Sequence, residues 1–337
     1  MLFLKGYNLG NQKTIVLIDG DTLCYRTAAA AETRAVNVIH KPSGRTRIFP
    51  TRTKFKEFLA AKAFEFKPED YEFEDIQNAE DISHPLHSIK VQLKKIQDFT
   101  EADETRIFIG GKGNFRDKLA LPTRYKSGRD NTIRPVHLAE CKEFTLRHLG
   151  AELISAEEAD DALIYVGYKY LEQGYKVILA SQDKDSHAYS GLHIYDFTKE
   201  GSEIWKVPEV GSLWLDSKDK VRGSGFIWYC HQMLLGDSTD DYKPTEILGI
   251  KFGEKSSYKL LKDCKTKQEA WDVVVSQYQK WFKDNPEYTD WQGDEQVASP
   301  KFMLQLYHQC CAMMRTPTDS LDIHEFCKYM GLDYGRN

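Results

Sequence analysis

The sequence predicts an α/β fold, a mostly parallel sheet flanked by helices, with a helical subdomain after it. Three observations lead there. The apolar runs TIVLID (14–19), TRIFIG (105–110) and YKVILAS have the length and composition of buried strands. Helical patterns separate them, and strand–helix–strand alternation is the mark of a parallel sheet. From about residue 200 the apolar spacing turns helical. A chain of 337 residues is long enough for two domains, placed here at 1–200 and 201–337.

The elements follow in order. TIVLID leads into a helix through about residue 31, and residues 37–49 read as a basic hairpin turned at Pro42-Ser43-Gly44. Helical pattern resumes at 52–63 and 84–99, and the acidic, proline-containing stretch between is expected to be a surface connection. After TRIFIG a polar, basic, glycine-containing segment runs to about residue 134. The helix HLAECKEFTLRHLG ends at Gly150, a residue suited to a left-handed helix end. AELIS, EADDALIYVGYKYLEQG and YKVILAS then repeat strand, helix, strand. A short β-like region (192–207) precedes helical segments near 224–235, 254–262, 266–283, 299–315 and 321–330. The last of these are aromatic and rich in Met and Cys, which suits packing rather than chemistry. No internal repeat or low-complexity tract interrupts the chain.

Composition excludes several classes. No apolar run approaches the roughly 20 residues that cross a bilayer, and MLFLKGYNLGNQK lacks the pattern of a secretion signal. Seven cysteines form no CxxC pair, as suits reduced thiols in a cytoplasm, and the ten histidines fall in no zinc pattern. The net charge of −5 conceals local asymmetry. Residues 40–56 carry Lys41, Arg45, Arg47, Arg52, Lys54 and Lys56 with no acid; residues 112–134 and 251–267 are also basic. A charge run is usually a solvated face. Three such runs beside acidic knots suit a protein that grips phosphates and holds metal.

The knots carry the chemistry. Asp19 and Asp21 close the first strand, where a polar turn is the ordinary reading. Glu158, Asp160 and Asp161 crowd one helical turn; Glu158 suits a capping box, but dipole relief is too small to explain the rest. Asp183 and Asp185 follow the strand VILAS, and Asp237, Asp240 and Asp241 follow an apolar helix. In open parallel sheets ligands bind outside the carboxyl ends of the strands, and Asp19, Asp183 and Asp185 share that edge. Carboxylates pressed together need a counter-charge, which a hard cation with oxygen ligands supplies. Two such ions suit phosphodiester hydrolysis.

These knots, in this order, resemble the 5′-nuclease family: flap endonucleases, phage 5′–3′ exonucleases and the 5′-nuclease domain of bacterial DNA polymerase I. The resemblance spans residues 14–262 and rests on Asp19, Glu158-Ala159-Asp160-Asp161, Asp183-Lys184-Asp185 and Gly236-Asp237-Ser238-Thr239-Asp240. It implies a PIN-like fold with a helical arch at about 112–134 and a helix–three-turn–helix in the second domain. The implied metal ligands are Asp19, Glu158, Asp160, Asp161, Asp183, Asp185, Asp237 and Asp240, holding two Mg2+ ions with Mn2+ able to substitute. Lys126, Arg129 and Arg26 would act at the scissile phosphate. Lys112, Arg116, Tyr125, Lys126 and Arg129 would line the arch on DNA, with Tyr125 offering a stacking face. Gly253, Lys255 and Ser256 would meet duplex phosphate, while the earlier glycine spacing departs from that of a K+ site. Gly110-Gly111 stands where many members carry an Asp, a place Asp21 or a water would fill.

The expected function is a metal-dependent 5′–3′ exonuclease and structure-specific flap endonuclease. The resemblance is nearest the bacteriophage branch, and a phage member would degrade DNA or remove RNA primers during replication, in the host cytoplasm. The expected partners are DNA with 5′ ends or flaps and RNA–DNA hybrid, for a monomer without a membrane partner. The competing readings are a PIN-type ribonuclease, usually shorter and without the basic segments, and a degenerate DNA-junction-binding protein that does not cut.

Overall fold

The structure is a computed structural model, and it describes residues 12–130 and 132–334. The N-terminal stretch read above as no secretion signal lies outside these for residues 1–11. The elements begin with β1 (Thr14–Asp19), α1 (Gly20–Ala30), β2 (Glu32–His40), β3 (Arg45–Phe49), α2 (Arg52–Ala61), β4 (Tyr71–Ala79) and α3 (Ser83–Thr100). There follow β5 (Glu104–Asn114), α4 (Leu138–His148), β6 (Glu152–Ala156), α5 (Ala159–Glu172), β7 (Lys176–Ala180), β8 (His193–Tyr195) and β9 (Trp205–Lys206). The chain continues through β10 (Ser212–Leu215), β11 (Val221–Ser224), α6 (Gly225–Leu235), α7 (Glu254–Leu261) and α8 (Lys267–Trp281). It ends with β12 (Glu287–Thr289), β13 (Glu295–Val297), α9 (Pro300–Cys311) and α10 (Ile323–Met330).

The described residues form two compact units: one from within 12–21, 95–132 and 150–334, the other of 22–94 and 133–149. The larger holds a six-stranded sheet in the order β6-β5-β1-β7-β8-β9, parallel except for β9. Ile15, Val16, Leu17 and Ile18 are wholly buried, as a central strand covered on both faces demands. Ala162, Leu163 and Val166 of α5 close one side of the sheet against Leu17 and Val177. A second core joins α6, α8 and α9 around Trp271, Tyr278 and Tyr307, so the aromatic tail is packing, as its composition suggested. All seven cysteines are free thiols. No helix among the described residues is long and apolar enough to cross a membrane.

The smaller unit contains the expected hairpin, β2 on β3, and a strand the sequence reading missed. The stretch expected to be a surface connection contains β4, which pairs with β2 along its whole length. Tyr71 and Phe73 alternate with Glu72 and Glu74, a period of two that the acidic composition masked. Tyr71, Phe73 and Phe49 pack on Phe55 of α2. A second hairpin, β12–β13, lies in the tail, where only helices were expected.

Where the resemblance implies a helical arch, the described residues hold only two 3-10 turns, Phe115–Lys118 and Ser127–Arg129. Gly113, Pro122, Gly128 and Pro135 break this segment, and it lacks the apolar periodicity that helps a helix persist.

Candidate active site

Because β1, β5, β6 and β7 run parallel, their carboxyl ends share one edge of the sheet. Asp19 ends β1, nearly buried, and accepts a hydrogen bond from Ser181 Oγ at 3.2 Å. Ser181 follows β7 and also accepts from the Asp183 N–H at 3.1 Å. Asp183 in turn caps the 3-10 turn Lys184–Ala188, its Oδ1 accepting from the Asp185 N–H at 2.9 Å. Asp185 accepts from Gln232 Nε2 at 2.5 Å. Asp160 stands in the first turn of α5, and among the described residues its carboxylate has no hydrogen-bond or ion-pair partner.

The turn after α6 brings Asp237 and Asp240. Gly236 ends that helix at φ 75°, and a Cβ there would lie 2.3 Å from the Tyr242 carbonyl oxygen, so only glycine allows the turn. Asp237 caps this turn through the Thr239 N–H at 2.6 Å and meets Lys184 Nζ at 2.9 Å.

The basic segment is bound to these acids. Lys126 Nζ pairs with Glu158, whose Oε1 also accepts from Asn114 Nδ2 at 2.9 Å. Asp240 accepts from Arg129 at 2.6 Å and from the Tyr125 hydroxyl at 2.8 Å, with Lys126 Nζ at 3.6 Å. Asp241, itself at φ 57°, accepts the Gly128 N–H at 2.6 Å and so holds the turn that carries Lys126 and Arg129.

Burial and mutual repulsion set the proton affinities. Burial and the charges of Asp183, Asp19 and Glu158 push Asp160 well above the usual carboxylate range. Asp183 is pushed up to about 6, by burial first and then by Asp19 and Asp240. Asp185 is raised by burial and Asp183, and Asp240 by burial and Glu158 against Lys126 and Arg129. Burial would also raise Asp237, but the Lys184 ammonium overcomes it and holds this carboxyl below its ordinary value.

Two expected site residues face inward. Asp161 is 0% exposed: both its oxygens take Arg116, at 2.7 and 3.0 Å, and it also accepts the Met314 N–H at 3.0 Å. Arg116, expected among the DNA contacts, is 2% exposed and donates further to the Gln309 and Ala312 carbonyls. This pair is an internal anchor tying α5 to the segment after α9. Asp161 also reaches back to the Glu158 N–H at 3.2 Å, so it is Asp161 that plays the backward-reaching acid of the helix start. The Tyr125 ring is buried and contributes its hydroxyl rather than a stacking face.

Other expected residues stand on separate elements. Lys112 is exposed near the end of β5, and Arg26 is exposed on α1 in the smaller unit. Gly253, Lys255 and Ser256 open α7, where Lys255 pairs with Asp219 at 2.5 Å. At the departure from the motif, Asp21 Oδ2 accepts the Gly110 N–H at 2.9 Å. A Cβ on Gly110 would lie 2.8 Å from that same oxygen, so the Asp21 carboxylate fills the space of a side chain at 110.

The sequence reading passed over three contributors: Asn114, Gln232 and Lys184. Lys184 lies inside the Asp-x-Asp motif, and its charge between two acids was the available signal.

Hard carboxylate oxygens are the donor set that magnesium or manganese takes. Among the described residues no three acidic, histidine or cysteine side chains converge into a ready-made cage for one ion. The chain's own cations hold several of the acids instead. Beside Arg116, which Asp161 neutralises and which also stands 3.8 Å from Glu158, the cations among Asp19, Glu158, Asp160, Asp183, Asp185, Asp237 and Asp240 are Lys126, Arg129 and Lys184. Fully ionised, seven carboxylates against three cations leave a deficit of four charges, which the unpartnered Asp160 and the raised Asp183 both reflect. The donors fit divalent cations in both chemistry and charge.

No family model matches the chain, and no curated protein matches it. Solved structures of nucleases do. The bacteriophage T5 flap endonuclease, in a pseudo-enzyme–product complex with DNA and metal ions, is similar at a TM-score of 0.45 and 15% identity over 94% of this chain and 98% of that one. A variant of the T5 5′-exonuclease gives 0.42 and 13% over 95% and 98%. The T5 5′-exonuclease with bound zinc ions gives 0.42 and 16% over 81% and 88%.

Proposed function

We propose that this chain is a divalent-metal-dependent nuclease that hydrolyses DNA phosphodiester bonds near 5′ ends, as a 5′–3′ exonuclease and flap endonuclease. The observation that carries the reading is the charge deficit of the acidic edge, with Lys126 and Arg129 seated directly on it. Two magnesium or manganese ions would restore neutrality and, when bound, supply activation of water and stabilisation of the leaving oxygen. Asp19, Glu158 and Asp160 would hold one; Asp183, Asp185, Asp237 and Asp240 would hold the other.

The chain's own groups do the rest. Lys126 and Arg129 pair with Glu158 and Asp240 here, and a phosphodiester entering the site offers them an alternative anion at the same place. Asp241 keeps both on one turn through the Gly128 N–H. The Arg116–Asp161 pair fixes the start of α5, and so the positions of Glu158 and Asp160. Lys112, Arg26 and the start of α7 are proposed to meet the DNA backbone, on which affinity and salt dependence mainly rest.

A 5′-labelled duplex and a 5′-flap substrate incubated with magnesium test the reading. Cleavage near the 5′ end, abolished by EDTA and by Asp183→Asn or Asp160→Asn with DNA binding retained, is the expected result. No cleavage with magnesium or with manganese overturns it and leaves DNA binding without catalysis.

A further inference from the structure

Arg315, half-buried just after α9, differs from the buried Arg116 of its unit. Its guanidinium carbon stands 4.7 Å from the ring centre of Tyr329, 5.3 Å from Tyr168, 5.6 Å from Tyr189 and 5.7 Å from Phe326. Among the described residues no carboxylate forms an ion pair with it, whereas Arg116 is neutralised by Asp161. The residue meets an acid only through its backbone N–H, which donates to Asp319 Oδ2 at 2.9 Å. A cavity of about 240 Å³ on one side carries Glu172, Asp319 and Glu325, none of them in ion-pair contact with the guanidinium. Aromatic faces attract a cation but do not neutralise it, so the charge stays available to an anion.

That charge lines a second recess of about 690 Å³, together with Lys206, Lys267, Glu209, Ser190 and Tyr329. Lys206 is exposed and has no ion pair among the described residues; Lys267 is shared with Glu209 at 2.7 Å. Three cations against one carboxylate leave the lining two charges positive. The volume falls in the range of small-ligand sites. Tyr329 is 64% exposed at the rim and presents ring surface on which a base can stack.

We infer that this recess binds a nucleoside monophosphate, with the phosphate dianion on Arg315, Lys206 and Lys267 and the base against Tyr329. The site shares no residue with the acidic edge, and it does not depend on the nuclease reading. Charge and the aromatic rim both select the ligand: a dianion matches the net charge, and an aromatic face suits a flat base more than a bare ion does.

Isothermal titration of the whole chain in EDTA tests this, because phosphate then has no divalent ion to follow to the carboxylates. Deoxyadenosine monophosphate should bind saturably, one per chain. Deoxyadenosine and inorganic phosphate should each bind at least about tenfold more weakly, since each lacks one half of the recognition. Lys206→Glu should weaken the nucleotide by at least about tenfold while leaving cleavage of a labelled duplex unchanged. Arg315→Met should act in the same direction; if it fails to fold, Lys206→Glu decides alone. The proposal is overturned by absence of saturable binding, by unchanged affinity in Lys206→Glu, or by equal affinity for the nucleotide and either of its halves. Displacement of the nucleotide by a duplex oligonucleotide also overturns it, assigning the recess to the DNA backbone.

Discussion

Asp183→Asn should make the metal-free protein more stable while destroying its chemistry. The carboxyl is pushed from its ordinary 3.8 to about 6, chiefly by burial and then by Asp19 and Asp240. A folded-state value above the unfolded one means that folding takes up a proton between those two pH values. Stability associated with Asp183 is therefore greatest below the unfolded value, falls as pH rises through about 6, and stays low above. A shift of about two units corresponds to roughly 2–3 kcal/mol at neutral pH. Asparagine removes the charge, and its side-chain oxygen still accepts the Asp185 N–H, so the local turn survives. Urea unfolding in EDTA, followed by tryptophan fluorescence, should show the variant more stable by that amount at about pH 7.5 and nearly equal at about pH 4. The difference between the two proteins is the quantity to measure. His187 and His231, at about 4, and His308, at about 3, are held neutral by burial, and they lose stability as pH falls below 6.5. Their effect runs the opposite way over the same window and cancels in the difference. With magnesium added, the wild type should gain more stability than the variant. A variant no more stable than wild type at about pH 7.5 without metal would refute the claim that this edge lacks counter-charge.

Three further outcomes follow from particular contacts. Asp241→Ala removes the acceptor of the Gly128 N–H; on the scale of a helix cap, about 0.5–2 kcal/mol, kcat/KM should fall about 2–30-fold. Asp241→Asn keeps an acceptor and tolerates the positive φ, so it should recover most of the loss, and an asparagine variant no better than alanine removes Asp241 from this role. Arg116→Met leaves Asp161 as a buried, unpaired charge and should cost about 3–5 kcal/mol in urea unfolding, with much of it recovered in the double variant Arg116→Met, Asp161→Leu. A single-variant cost below about 1 kcal/mol contradicts the anchor. Tyr288 and Trp291 of the β12–β13 hairpin region donate to the Ala120 and Leu119 carbonyls at 2.6 and 3.1 Å, at the base of the basic segment. Tyr288→Phe and Trp291→Phe should each cost about 0.5–1.5 kcal/mol and speed trypsin cleavage at Arg124, Lys126 or Arg129. Unaltered cleavage rates would show that the hairpin does not hold that segment.

Much of the fold was legible because it rests on local pattern. VLI in β1 and VIL in β7 are short apolar runs whose burial follows from composition, and the helices of the tail begin and end within a few residues of their expected limits. The misses have physical reasons. β4 exists because its alternate residues Tyr71 and Phe73 meet Phe55 and β2, partners distant in sequence, while its outward acids resemble a solvated loop. The β12–β13 hairpin is only three residues long on each strand, too short for periodicity to register.

The acidic edge shows the same division. The sequence by itself determined which carboxylates end parallel strands and open α5, because strand direction and helix starts are local properties. It therefore determined that these acids would gather at one edge, and that their number would exceed any ordinary structural need. Only the tertiary structure decided how each acid is employed, since that depends on cations 32 to 111 residues away. Asp161 goes to Arg116 and is spent on the core; Glu158 and Asp240 go to Lys126 and Arg129; Asp237 goes to Lys184. For Asp160 and Asp183, burial and neighbouring acids outweigh Lys126 and Lys184 and raise both carboxyls, because a side chain's proton affinity is settled by what folding brings beside it.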